Sequence, residues 1–247
     1  MTMQMMQIRR IGTSEVRLDG RRDFIRTQET NEGNLIADAL LFQATALATT
    51  FNTPVPDVAL QNGGGIRNDT IIPAGNLSEL DTFSILPFAN FVSIVPSIPA
   101  TQFKEILENA VSRVEFIDGR FSQISGFRMV WDPSGTAQLL DENGNVTTPG
   151  TRVRSVVLDN STVIVEDGVI VAGAPAVNIA TIDFSARGGD QYPFRGASFT
   201  TLGVTYQQAL VNYIQQELGG TIREAEYPEG GERRITSPGV QVSVETR

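Results

Sequence analysis

The stretch Val153-Arg154-Ser155-Val156-Val157-Leu158-Asp159-Asn160-Ser161-Thr162-Val163-Ile164-Val165-Glu166-Asp167-Gly168-Val169-Ile170-Val171 decides the fold class. It holds three β-rich runs, Val153 to Leu158, Val163 to Val165 and Val169 to Val171. Branched side chains favour the pleated backbone in each. Asp167-Gly168 supplies the turn between the last two. No helical segment separates the runs, whereas a doubly wound parallel sheet needs a helix after nearly every strand. Strands that follow one another directly predict an α+β fold.

Outward from this stretch the same reading continues in both directions. Ile8 to Leu18 reads as a strand with a turn at Asp19-Gly20. Asn31-Glu32-Gly33-Asn34 opens a helix whose Leu35, Ile36, Ala39, Leu40 and Leu47 recur at helical period through about Thr50. Asp57 to Gln61 is a short apolar strand, Ser78-Glu79-Leu80-Asp81 a helix start, and Phe91 to Val95 a strand. Thr101 to Val111 carries Phe103, Ile106, Leu107 and Ala110 on one helical side. Phe121 to Trp131 reads as a single strand containing a glycine, and Asp141-Glu142-Asn143-Gly144 as a hairpin turn. Asn178 to Phe184 is predicted as a strand and Thr205 to Leu218 as the closing helix. With no repeat and no Pro/Gly/Ser linker, residues 1–247 form one domain of mixed sheets and several packed helices. Residues 1–7 are expected to be a disordered or non-native start, and 236–247 a C-terminal tail.

Composition narrows the chemistry. A 40% hydrophobic content supports a core, and a net charge of −9 disfavours binding to nucleic acid, whose phosphates need a basic surface. Lys104 is the only lysine, so the basic side chains are almost all arginines, suited to planar contacts with phosphate, carboxylate or sugar hydroxyls. A compositional bias explains the same count. No apolar run reaches the roughly 20 residues of a membrane span, and Met1 to Arg10 lacks the pattern of a secretory signal. There is no His and no Cys. A Ser-His-Asp triad is therefore impossible, and a di-metal phosphoesterase site, which uses His, Asp and Asn, lacks its usual ligands. Asp57, Asp81, Asp183 and Asp190 are scattered, so an all-carboxylate magnesium site has no visible cluster.

Several segments suit a nucleotide. Asn62-Gly63-Gly64-Gly65-Ile66-Arg67 follows a strand, and three residues without Cβ let a ligand approach backbone N–H groups. It ends in Arg67, within reach of an anion, but has neither P-loop nor dinucleotide-fingerprint spacing. A tight turn would use the same glycines. Phe88, in Leu86-Pro87-Phe88-Ala89-Asn90, and Phe184, in Asp183-Phe184-Ser185-Ala186-Arg187-Gly188-Gly189-Asp190, lie among small or polar residues. Two such rings are able to sandwich a base, although a single ring more often packs in a core. Asp190 follows two glycines and is suited to vicinal ribose hydroxyls, or to a turn that binds its own backbone. Arg22 and Arg26, four apart, read either as a guanidinium pair for phosphate or ribose or as a solvated face.

In this order, these segments resemble the C-terminal domain of the 5'-nucleotidase family. The resemblance also includes Leu18-Asp19-Gly20 through Arg26, Thr30 to Ala39, and Gly119-Arg120-Phe121-Ser122-Gln123-Ile124-Ser125-Gly126, and spans roughly residues 8 to 235. It implies an α+β substrate-binding domain. Phe88 and Phe184 match the rings that clamp the base, and Asp190 the carboxylate on the ribose. Arg22, Arg26 and Arg67 match arginines near ribose and phosphate. Asn62 and Asn90 match polar contacts, Gly64 lies in the glycine segment, and Gly126 matches a backbone position beside the pocket. The implied ligand is AMP-like or UDP-sugar-like. The implied partner is an N-terminal metallophosphatase domain holding two divalent metal ions, so this chain alone, without cofactor, is expected to be inactive as a hydrolase. The parent is expected to be periplasmic, cell-surface or secreted. Asp183 stands where the family commonly has Asn. The alternative is a non-enzymatic interaction module of an extracellular protein that reuses the fold.

Overall fold

A computed structural model describes residues 9–238. The expected N-terminal start and most of the C-terminal tail lie outside them. Thr236, assigned above to the tail, pairs with Val130 in a sheet.

The architecture is α+β, built on two five-stranded sheets. The central sheet has the order Thr200–Thr205, Phe91–Ile98, Val177–Ile182, Val58–Asn62 and Ser122–Ser125. The second has the order Val169–Ile170, Val163–Glu166, Val153–Leu158, Phe127–Trp131 and Ile235–Thr236. The stretch 153–171 thus forms one side of the second sheet, antiparallel throughout, with Val165 opposite Ile170 across the Asp167-Gly168 turn.

Side chains of the central sheet alternate between two cores, as the two-residue period of a strand requires. Ala59, Ile94, Ala180 and Ile182 join Leu35, Ile36 and Leu40 of the helix Asn31–Ala48 and Tyr206 of the helix Tyr206–Asn212. Val58, Leu60, Val177 and Ile179 join Phe103, Ile106 and Leu107 of the helix Ala100–Val111, together with Phe127 and Trp131 from the second sheet. Each fully buried aliphatic or aromatic side chain contributes about 1.5–3 kcal/mol of transfer free energy. The cores therefore clamp the central sheet from both faces and fix the positions of its strand ends.

Local signals set the helix starts. The Thr30 side chain accepts from Gly33 N–H, and Ser78 and Asp81 form a reciprocal capping box that opens Glu79–Ile85. Two expectations are corrected. The segment 121–131 is two strands in different sheets, broken at Gly126, whose φ of +86° suits glycine. The strand expected to run to Phe184 ends at Ile182, and Asp183–Ala186 is a helical turn.

Candidate functional site

The register of the central sheet gathers the candidate segments. Val58–Asn62 and Val177–Ile182 are parallel neighbours, so both end at the same edge, one into the triple glycine and the other into Asp183. Phe91–Ile98 is antiparallel to Val177–Ile182, with Val92 opposite Ile182, which brings Leu86–Asn90 to that edge. Ser122–Ser125 is antiparallel to Val58–Asn62, with Ser122 opposite Asn62, which brings Gly119 and Arg120 there too.

At this edge the triple glycine folds as a 3-10 turn. Gly63 N–H donates to Phe121 O at 2.6 Å and Gly64 N–H to Gly119 O at 2.8 Å. A Cβ on Gly64 would lie 3.1 Å from Asp190 Oδ2 and 3.1 Å from Gly119 Cα. Glycine is needed here for close packing of backbone on backbone. Asn62 Nδ2 donates to Asp190 Oδ2 at 2.6 Å. Asp190 itself adopts a left-handed conformation, φ +52°, and its carbonyl accepts from Asn109 Nδ2 at 3.1 Å. Its carboxylate is thus aimed by the strand end, the glycine turn and the helix Ala100–Val111.

Arg26 feels the Asp190 charge and also those of Arg22 and Arg67, so three arginines cluster at this edge. Arg26 is 6% exposed, and its Nη1 donates to Ile117 O at 3.4 Å. Its Nε is buried without a partner among the described residues. Burial, then the like charges of Arg22 and Arg67, push the Arg26 guanidinium below its ordinary value, while Asp190 and Asp118 oppose them. The Arg67 guanidinium carbon lies 5.7 Å from the centroid of the Phe88 ring, within cation–π reach.

Both rings are open to solvent: Phe88 is 46% exposed and Phe184 41%. The backbone beneath them is firmly held. Phe88 N–H donates to Tyr206 Oη at 3.1 Å, and Tyr206 Oη donates to Gly65 O at 3.1 Å. Asn90 O accepts from Tyr206 N–H at 3.0 Å. Asp183 Oδ1 accepts from Phe91 N–H at 2.8 Å, joining the Phe184 turn to the Phe88 loop. The Phe184 ring packs on Gly189, where a Cβ would overlap it.

The structure therefore brings Arg22, Arg26, Asn62, Gly64, Arg67, Phe88, Asn90, Phe184 and Asp190 to one edge. Gly126 is not among them. Its neighbour Ser125 pairs with Ala59, and a Cβ on Gly126 would overlap Asp57 O, at the opposite end of the strand Val58–Asn62. Sequence reasoning missed Asn109, Asp118 and Tyr206, which act by holding backbone or by balancing charge. The approach of Gly119 to Gly64 was hidden as well, because it depends on register rather than on residue type.

The profile of the family described as "5'-nucleotidase, C-terminal domain" matches residues 10–196. The chain belongs to the 5'-nucleotidase C-terminal domain family. This domain is 31% identical over 228 residues to the Bacillus subtilis trifunctional nucleotide phosphoesterase protein YfkN, covering 89% of this chain and 14% of that protein. It is 29% identical over 227 residues to a 5'-nucleotidase of Vibrio parahaemolyticus, covering 90% of this chain and 33% of the relative. A 5'-nucleotidase precursor from Thermus thermophilus superposes with a TM-score of 0.72 at 30% identity, covering 94% of this chain and 40% of that one. The chain thus spans well under half of these relatives. The metal ions the resemblance implies do not fit the edge described above, where three arginines would repel a divalent cation. Among the described residues, no group of three or more Asp or Glu residues is placed to hold one. No helix among them is long and apolar enough to cross a membrane.

Proposed function

We propose that this 5'-nucleotidase C-terminal domain binds the nucleoside part of a nucleotide and presents its phosphate to a separate di-metal phosphoesterase domain. In this reading the base lies between the Phe88 and Phe184 rings, a contact worth about 1–3 kcal/mol per base. The Asp190 carboxylate accepts from the ribose hydroxyls, with Asn62 holding it in place and Asn90 beside the sugar and base. The guanidiniums of Arg22, Arg26 and Arg67 balance the phosphate charge, and Gly64 lets the turn pack against Gly119 and the Asp190 carboxylate, which helps to hold that carboxylate in place.

The observation that carries the reading is the convergence of two solvent-open rings on firmly held backbone with an aimed carboxylate and three arginines. Core rings would be buried, and a merely solvated face would not bury the Arg26 guanidinium with an unpartnered Nε under the like charges of Arg22 and Arg67. The relatives' names, nucleotide phosphoesterase and 5'-nucleotidase, agree in ligand class. The chemistry of hydrolysis belongs to the other domain, where metal ions would activate water. The residues here bind and orient. The parent protein acts in the periplasm, at the cell surface or outside the cell.

Calorimetric titration with adenosine, AMP and UDP-glucose, with phosphate release followed in parallel, tests this. Saturable binding without phosphate release is the expected outcome. Binding of none of the three would overturn the reading and return the fold to an interaction role.

A further inference from the structure

Glu32 is wholly buried in the first turn of the helix Asn31–Ala48. Its Oε2 accepts from Asn68 Nδ2 at 3.0 Å. Its Oε1 has no hydrogen-bond partner among the described residues, and neither has Asn68 Oδ1, although both atoms are buried. The two unpartnered oxygens share one place, since a Cβ on Gly20 would overlap Glu32 Oε1 and both terminal atoms of Asn68. An ionised carboxylate would leave two acceptors there with no donor between them, away from water, which is costly. A protonated carboxyl removes the conflict: its O–H donates to Asn68 Oδ1 while Asn68 Nδ2 donates to the other oxygen.

We propose that Glu32 and Asn68 form a neutral acid–amide pair that positions the two loops carrying Arg22 and Arg67. Gly20 closes over the pair, and its N–H donates to Thr70 O at 3.0 Å. The chain then enters the helix Arg22–Ile25, where Arg22 N–H donates to Asp69 Oδ1 at 2.8 Å. Asn68 directly follows Arg67, so one buried pair ties both arginine carriers to the long helix. The charged group that acts on it is Asp19, ion-paired with Arg21 at 2.7 Å, while Arg67 and Asp69 flank Asn68 along the chain. Burial pushes the Glu32 carboxyl up to about 8; the Asn68 hydrogen bond opposes this and the Asp19 carboxylate adds to it.

Glu32→Gln rebuilds the pair with nothing to ionise, its amide donating to Asn68 Oδ1 and accepting from Nδ2. The wild-type carboxyl has a folded value above its unfolded one. Its contribution to stability is therefore complete below the ordinary carboxyl range near 4.5 and is lost as pH rises toward about 8. Melting of both proteins between about pH 4 and pH 9 reads this difference. The Glu32→Gln protein is expected to match wild type at the acid end and to melt progressively higher than it as pH rises, with a plateau beyond the Glu32 titration. Carbon NMR of the wild-type glutamate carboxyls is expected to show one group titrating far above the rest. A pH-independent melting difference, or no such carboxyl, would overturn the pair. The positioning role rests on the binding function proposed above. The second ionisation of the AMP phosphate acts alike on both proteins, so the wild-type AMP affinity relative to that of Glu32→Gln is expected to fall severalfold as Glu32 ionises. The same pH dependence in both proteins would overturn the positioning role. Binding by neither would reject the binding function itself, while melting and NMR would still decide the pair.

Discussion

The Asn62 amide donates a 2.6 Å hydrogen bond to the Asp190 carboxylate, joining residues 128 positions apart in sequence. The bond satisfies one carboxylate oxygen, and in the proposed reading the other accepts from a ligand. Asp190→Asn keeps a residue type that tolerates its left-handed backbone but removes the charged acceptor. Hydrogen bonds to charged groups are worth about 1.5–3 kcal/mol, so adenosine affinity is expected to fall about tenfold or more. The preference for adenosine over its 2'-deoxy and 3'-deoxy forms is expected to shrink, with little change in melting temperature. Calorimetry with the three nucleosides checks this.

Phe184 is 41% exposed, so the fold gains little from its ring. Phe184→Ala is expected to weaken AMP and adenosine binding about tenfold or more, by loss of base stacking, and to leave thermal unfolding nearly unchanged. A large drop in melting temperature with unchanged affinity would make the ring a packing residue.

Arg22 is exposed, and the group held in its segment is its backbone N–H, bonded to Asp69. Arg22→Ala is expected to lower AMP affinity about fivefold or more, on the scale of one charge-assisted contact, and to leave adenosine affinity nearly level. Raising salt should narrow the gap between AMP and adenosine in the wild type by screening the same charge. Titrations at two ionic strengths measure both effects.

Gly126 separates the two sheets at φ +86°, and a Cβ there would overlap the Asp57 carbonyl. Gly126→Ala is expected to destabilise the fold by about 1–3 kcal/mol, the cost of a strained backbone position, without changing affinity per folded molecule. Denaturant unfolding and calorimetry together separate the two quantities.

Local signals made much of this fold legible. The Asp167-Gly168 turn, the helix starts at Asn31 and after Ser78, and the apolar stripe of Thr101 to Val111 are short-range, and each appears where the sequence placed it. The break at Gly126 was not legible, because the residues on both sides are strand formers and only tertiary pairing sends them to different sheets. The helical turn at Phe184 was hidden for a related reason: the strand residues before it gave no stop signal. The candidate residues themselves were visible by type, but nothing local showed that Asn62 and Ile182 end parallel neighbouring strands. That pairing, held by cores on both faces of the sheet, is what assembles the edge.

The most direct test of the base clamp is an NMR measurement of contacts between bound adenosine and selectively labelled phenylalanines. The account expects cross-relaxation from the adenine protons to both the Phe88 and Phe184 rings, each lost in the corresponding alanine variant. Contacts to neither ring, or to only one, would contradict it.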